Sequence, residues 1–344
     1  MNPFSKSKVD IDIALRGFAI SWVVLNHAAA IPGRAFELGG GMNILLLLAG
    51  AAFARFTLTR ESASAIRQSV LRFTVKLVLP CFAIVALSFV AYREFSLPEL
   101  LFFSNWISIE HIAPMYTWYP QVIAQIMLLL LLITFIPGLV SLLRTRPVAF
   151  SCLALLVSII IFLIFDSVWD GQFGRRLPHF SLWNFVFGWV VVFVGRAQPR
   201  IGTAPRLALV LIAGALAAMA YDVEEDWLRV VAMSGGVAAL LLVKRVSLPK
   251  FAARIATVLS QATFTIFLFH VFFLRAFDAF GLRKFSEGFY LPDVLQAWTF
   301  TMVGTIGIWI GLTSVSRAFR HFMTTPISDD RIASSTSLRT GMSH

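Results

Sequence analysis

The sequence predicts an all-α fold, a polytopic membrane helical bundle of about ten transmembrane helices. Three observations predict it. Only 14% of the 344 residues are charged and 58% are hydrophobic, with a mean hydropathy of +0.81, whereas a soluble chain carries about a quarter of its residues as charges. The 33 Phe and nine Trp are more apolar bulk than an aqueous surface could hide, so lipid is the solvent that suits much of this surface. The basic residues, finally, lie between apolar stretches and alternate from one side to the other.

A span takes about 20 mostly apolar residues, and ten stretches qualify. Ile13 to Ile31 follows Lys6 and Lys8 and ends in Ala28, Ala29 and Ala30, as a secretory signal would, but Arg16 interrupts it and further spans follow at once. It reads as an uncleaved first helix. Gly39 to Phe56 opens on three glycines that permit close packing or a flexible start. Val70 to Tyr92 contains Pro80, which should kink it and free a carbonyl. Tyr119 to Leu142 is entered through Tyr116, Thr117, Trp118 and Pro120, placing aromatics at an interface and proline in the first turn. Val148 to Phe165 follows, then the short stretches Leu182 to Val194, Leu207 to Tyr221 and Leu228 to Val243, which extend into flanking aromatics or cross a thin region. Ile255 to Phe277 and Val294 to Val315 complete the set.

The loops test this count. With the N-terminus inside, the inner segments carry Lys6, Lys8, Arg60, Arg67, Arg144, Arg146, Arg196, Arg200, Arg206, Lys244, Arg245, Lys250, Arg254, Arg317 and Arg320, while the outer loops hold few cations and most of the acids. The alternation supports an even number of spans with both termini cytoplasmic, in the inner (plasma) membrane. The longest outer loops, Arg93 to Trp118 and Asp166 to Ser181, carry Trp, Phe and Pro and suit interfacial covers over a cavity. Their histidines, His111 and His179, read as ordinary loop residues. Residues 1–322 form the membrane domain, and 323–344 turn polar, as a disordered cytoplasmic tail does.

The net charge of +11 does not indicate nucleic acid, because the cations sit at span ends rather than on one face. Cys81 and Cys152 lie within apolar segments and read as small buried hydrophobes, with neither disulfide nor metal spacing. The chain has no phosphate-cradling glycine loop with its lysine and no Gly-x-Ser-x-Gly elbow. Nothing in it specifies an oligomeric state.

Polar groups inside spans are costly and are functional candidates by default. Arg16 and His27 are eleven residues apart, which returns to within about 20° of one helix face with an axial gap of roughly 16 Å. Arg16 is a snorkelling anchor, a partner for Asp12, or a cationic contact for a phosphate-bearing donor. His27 is a helix-packing histidine or a general base able to take a hydroxyl proton near neutral pH; Asn26 adjoins it. Arg72 and Lys76, one turn apart, either snorkel or hold an anion between them. Gln121 and Gln125 share a face just after Trp118, where their amides could bind an acceptor hydroxyl or a neighbouring helix. In the ninth span His270 stands out from a background of hydroxyls.

The run Leu15-Arg16-Gly17-Phe18-Ala19 through Asn26-His27-Ala28 resembles the opening of the acyltransferase 3 family of integral-membrane acyltransferases, in which an arginine, ten residues and a histidine share the first helix. Leu48-Ala49-Gly50, Trp118-Tyr119 and Phe264 to His270 are similar to further family positions, and the resemblance runs from about Val9 to Phe322. Two departures stand out. The family's paired arginines appear as Arg72 and Lys76 at a looser spacing, and Ala49 replaces a serine.

The resemblance implies O-acylation of a glycan or lipid-linked acceptor, with membrane lipid as the surroundings and no tightly bound cofactor. An acyl-CoA such as acetyl-CoA would be the co-substrate. His27 would be base or transient acyl carrier, Arg16, Arg72 and Lys76 would contact the donor, and Asn26, Trp118, Gln121, Gln125 and His270 would line the acceptor cavity. The rival is a transporter or exporter without chemistry, since intramembrane charges also line substrate paths; its mark, paired broken helices in two related halves, is not visible in the sequence.

Overall fold

A computed structural model of the protein describes residues 6–29, 39–92, 96–107, 118–166, 176–196, 202–221, 223–282 and 291–324. A short strand β1 (Lys6–Asp10) leads into α1 (Ile11–Ala29) and α2 (Gly41–Phe53), which continues as a π-helical turn over Ala54–Leu58. After α3 (Ala63–Tyr92) come the single turn α4 (Leu97–Leu100) and a 3-10 turn over Ser104–Trp106. Then follow α5 (Trp118–Ile133), α6 (Pro137–Thr145), α7 (Pro147–Asp166), α8 (Pro178–Arg196), α9 (Thr203–Ala220) and α10 (Val223–Leu242). Strand β2 (Arg245–Pro249), α11 (Lys250–Ala279) and α12 (Leu291–Thr324) close the order. The protein is a helical membrane bundle.

α8 is apolar all round, and a helix of that kind is buried. It is buried from His179 to Val194, with Trp183, Phe185, Phe187 and Trp189 almost wholly enclosed. Against it α2 packs closely, because two glycines meet at the crossing. A Cβ at Gly50 would strike the Phe185 carbonyl oxygen, and one at Gly188 would strike that of Leu47. In lipid, small residues are what let helix backbones approach this far. α1 lies against α11, α2 and α12, and a Cβ on Gly17 would sit 2.8 Å from the Ala256 carbonyl oxygen of α11. α3, α9 and α12 form the periphery, where exposed Leu79, Leu211, Val303 and Val315 face outward as lipid contacts do.

Each of the ten apolar stretches is helical over most of its described length, but the count of ten spans is not reached. Among the described residues seven helices are long and apolar enough to cross a membrane, and an eighth span results if α5 and α6 are taken together. α1 falls short because Asp12, Arg16, Asn26 and His27 dilute its apolarity, and α10 because acids and Arg229 fill its first turns. The fourth stretch is not one straight helix. α5 and α6 meet at 98°, because Pro137 has no N–H to continue the ladder and holds Ile136 in an extended conformation.

The bundle also contains a two-stranded antiparallel sheet, in which β1 pairs with β2 from Lys6 opposite Pro249 to Asp10 opposite Arg245. Ile11 N–H donates to the Lys244 carbonyl at 3.1 Å and ties the start of α1 to the end of α10. The sheet marks one end of the bundle, called here the sheet end. Cys81 is buried as expected, but Cys152 is exposed on α7. His179, read as a loop residue, belongs to the first turn of α8 and packs between Trp106 and Phe165. His111 and most of the polar tail lie outside the described residues.

Candidate active site

α1 sets the site. Phe18, 55% exposed, lies about 160° from Arg16 and about 180° from His27 around the helix. Ala19 and Val23 meet Gly41 of α2 on one side, and Gly17 meets Ala256 of α11 on the other. The Arg16–His27 stripe therefore looks between α2 and α11 into the bundle, away from the lipid face that carries Phe18.

Deep in the bundle the structure joins two of the candidate residues. His270 Nε2 of α11 lies 3.0 Å from His27 Nδ1, with ring centroids 4.9 Å apart and planes at 33°. His270 is fully buried. Its Nδ1 is 2.6 Å from the Phe267 carbonyl oxygen, and a carbonyl only accepts, so Nδ1 carries the proton. In the neutral ring Nε2 must then accept, so His27 Nδ1 donates to it; His27 also bonds to the Val23 carbonyl one turn back. Orientation of an imidazole through its other nitrogen is what a general base requires.

Aromatic rings hold this pair. Phe267 packs against His270 with centroids 5.5 Å apart and against Tyr119 of α5 at 5.0 Å. Tyr119 also lies within electrostatic reach of Arg16. Arg176, just before α8, lies within electrostatic reach of His27. Neither Tyr119 nor Arg176 was singled out from sequence. Tyr119 sat beside Trp118 in the quoted motif, whereas Arg176 looked like one more loop cation. The Asn26 Oδ1, next to His27, is buried with no hydrogen-bond partner among the described residues, an acceptor that a substrate hydroxyl could satisfy.

Toward the sheet end, Arg16 lines a cavity of about 720 Å3 together with Arg55, Arg196 and Lys244. Leu48 and Ala51 of α2, Val191 of α8 and Leu240 of α10 make its apolar wall. Two acids are present but engaged, Asp12 with Arg55 at 3.0 Å and Asp10 with Arg245 at 2.8 Å. Among the described residues Arg16, Arg196 and Lys244 have no carboxylate partner, so the cavity is cationic. Asp12, one of the partners considered for Arg16, belongs to Arg55 instead.

Arg72 and Lys76 are exposed on α3 and do not line this cavity. Trp118 meets Tyr119 edge-on at 6.2 Å. Gln121 and Gln125 clamp the 3-10 turn: Gln121 Oε1 accepts from the Ser104 hydroxyl and the Asn105 N–H at 3.1 and 3.2 Å. Gln125 Nε2 donates to the Phe102 carbonyl and to Asn105 Oδ1 at 2.7 and 2.8 Å. Asn105 Nδ2 in turn donates to the Arg176 carbonyl at 3.0 Å, so these amides also position the segment that brings Arg176 toward His27. No group of three or more His, Cys, Asp or Glu that could hold a metal occurs among the described residues.

Residues 9–314 match the family described as an acyltransferase domain. The chain belongs to the acyltransferase 3 family. Neither the curated proteins nor the solved structures returned a match. As an acyltransferase 3 member it is a membrane acyltransferase, and the matched region contains both α1 with its Arg16–His27 stripe and α11 with His270. In this acyltransferase Gly50, which follows Ala49 where the family carries serine, is the point at which α2 touches α8.

Proposed function

We propose that the protein transfers an acyl group, acetyl being the simplest, from a cytoplasmic acyl-CoA to a hydroxyl of a glycan or lipid-linked acceptor presented from the opposite side of the membrane. The observation that carries this reading is the His27–His270 pair, in which His270 Nε2 faces His27 Nδ1 and so supports His27 Nε2 as the nitrogen that would act as base. In the reaction His27 Nε2 takes the proton of the acceptor hydroxyl as its oxygen attacks the thioester carbonyl. The C–S bond then breaks, an ester C–O bond has formed, and the proton passes to the departing thiolate.

The cavity at the sheet end supports the donor half of this reading, since phosphates need cations that are not already neutralised. Arg16, Arg196 and Lys244 would hold the charged end of the donor, and its extended thioester arm would run along α1 toward His27, past Tyr119. Arg72 and Lys76, the positions that resemble the family's paired arginines, would act only if the donor reached across to α3.

The test is transfer of label. Membranes holding the protein and given acetyl-CoA labelled in the acetyl group should label a glycan or lipid fraction, and His27→Ala, inserted at normal levels, should not. Full labelling by that variant would remove His27 from the reaction. No labelled fraction with the unaltered protein would favour the transporter reading.

A further inference from the structure

A second cavity, of about 670 Å3, opens beside β1 at the sheet end. Four cations line it, Lys8 from β1, Arg245 from β2, and Lys250 and Arg254 from the first turns of α11, with the hydroxyl residues Ser7 and Thr257 among them. The sheet is what brings these distant residues together, because β1 pairs with β2 and β2 runs through Pro249 directly into α11. Arg245 is engaged by Asp10. Among the described residues Lys8, Lys250 and Arg254 have no carboxylate partner.

Like charges gathered in one cavity repel unless an anion lies among them. The surroundings say which kind. Phe251 and Ile255, on the same two turns of α11 as Lys250 and Arg254, are 63% and 51% exposed, so the cations stand at the border of an apolar outer surface. Cations beside an apolar surface match a bilayer's own order, phosphates next to acyl chains. We propose that this cavity binds the phosphate of an anionic phospholipid, whose acyl chains lie along Phe251 and Ile255. A soluble phosphate shares the headgroup chemistry but has nothing to lay on those side chains. The site is separate from the donor cavity, although Asp10 borders both, and it does not depend on the reaction assigned to His27.

The experiment is lipid retention by the full-length protein in detergent, read by native mass spectrometry after exposure to equal amounts of phosphatidylglycerol and phosphatidylcholine. The unaltered protein should retain phosphatidylglycerol preferentially, and Lys8→Gln, Lys250→Gln and Arg254→Gln should each lower that preference by roughly fivefold. The exposed Arg317→Gln on α12 should leave it unchanged, and millimolar inorganic phosphate should not displace the lipid. Each variant is scored only as a monodisperse species, which separates loss of the site from loss of the fold. Equal retention of both lipids, an undiminished preference in all three variants, an equal loss in Arg317→Gln, or displacement by inorganic phosphate would each overturn the proposal.

Discussion

His27 Nδ1 and His270 Nε2 lie 3.0 Å apart across 243 residues of chain. The Phe267 carbonyl holds the proton on His270 Nδ1, so the two rings are not equivalent within the pair. Alanine at His27 should lower acyl transfer by about a hundredfold to ten-thousandfold, the range of a lost general base.

Alanine at His270 should cost less, roughly tenfold to a hundredfold, because the base remains but is no longer aimed. His270→Gln should recover part of that loss, since its amide oxygen can accept from His27 Nδ1. Turnover and donor KM measured together decide the matter. Turnover should fall with donor KM unchanged, and equal losses in His270→Ala and His270→Gln would assign the residue to packing alone.

Arg16→Gln should raise the donor KM by roughly tenfold or more, the worth of one charge-assisted contact, with added salt narrowing the difference. Lys244→Gln should act in the same direction. Arg72→Gln and Lys76→Gln, altering exposed positions on α3, should leave donor KM within about twofold. The reverse order would move the donor from the sheet-end cavity to α3.

Gly50→Ala and Gly188→Ala each place a methyl against a facing carbonyl oxygen, and neither backbone can yield without separating α2 from α8. Destabilisation of about 1–3 kcal/mol or more is expected, read as a lower thermal transition in detergent. Gly138→Ala, at a position with nothing within 4 Å, is the matched control and should be neutral.

Gln125→Ala removes the amide that accepts from the Trp106 indole at 3.1 Å and donates to the Phe102 carbonyl at 2.7 Å. Stability should fall by about 1–3 kcal/mol as these groups lose their partner. Donor KM should not change, because none of the clamp residues lines the cationic cavity.

Hydropathy alone located every long helix, since enclosure in lipid demands an apolar run whatever the helix packs against. It could not show which side of a run faces lipid and which faces protein, and so Cys152 was placed inside when it is exposed. The break between α5 and α6 was hidden because averaging over a window runs through Pro137, the one residue that marked it. β1 and β2 were not visible because five-residue strands carry little signal and their pairing joins segments 235 residues apart.

The site was legible in its parts and not in its pairing. His27 and His270 each stood out as polar residues in apolar runs, but nothing in one dimension says that α1 and α11 are neighbours. Arg55, Arg196 and Lys244 were overlooked for a related reason: each is a cation at a helix end, where topology alone explains it. Only the convergence of α1, α2, α8 and α10 turns them into one cavity.

The two-stranded sheet has a consequence for biogenesis. A ribosome that has just released β1 must still make more than two hundred residues before β2 exists, an interval on the order of tens of seconds. Throughout it α1 can sit in the bilayer but cannot settle against α11, its principal neighbour. The nascent protein thus carries His27 in the bilayer before His270 exists to meet it, and the pair can form only once α11 has followed β2 out of the ribosome.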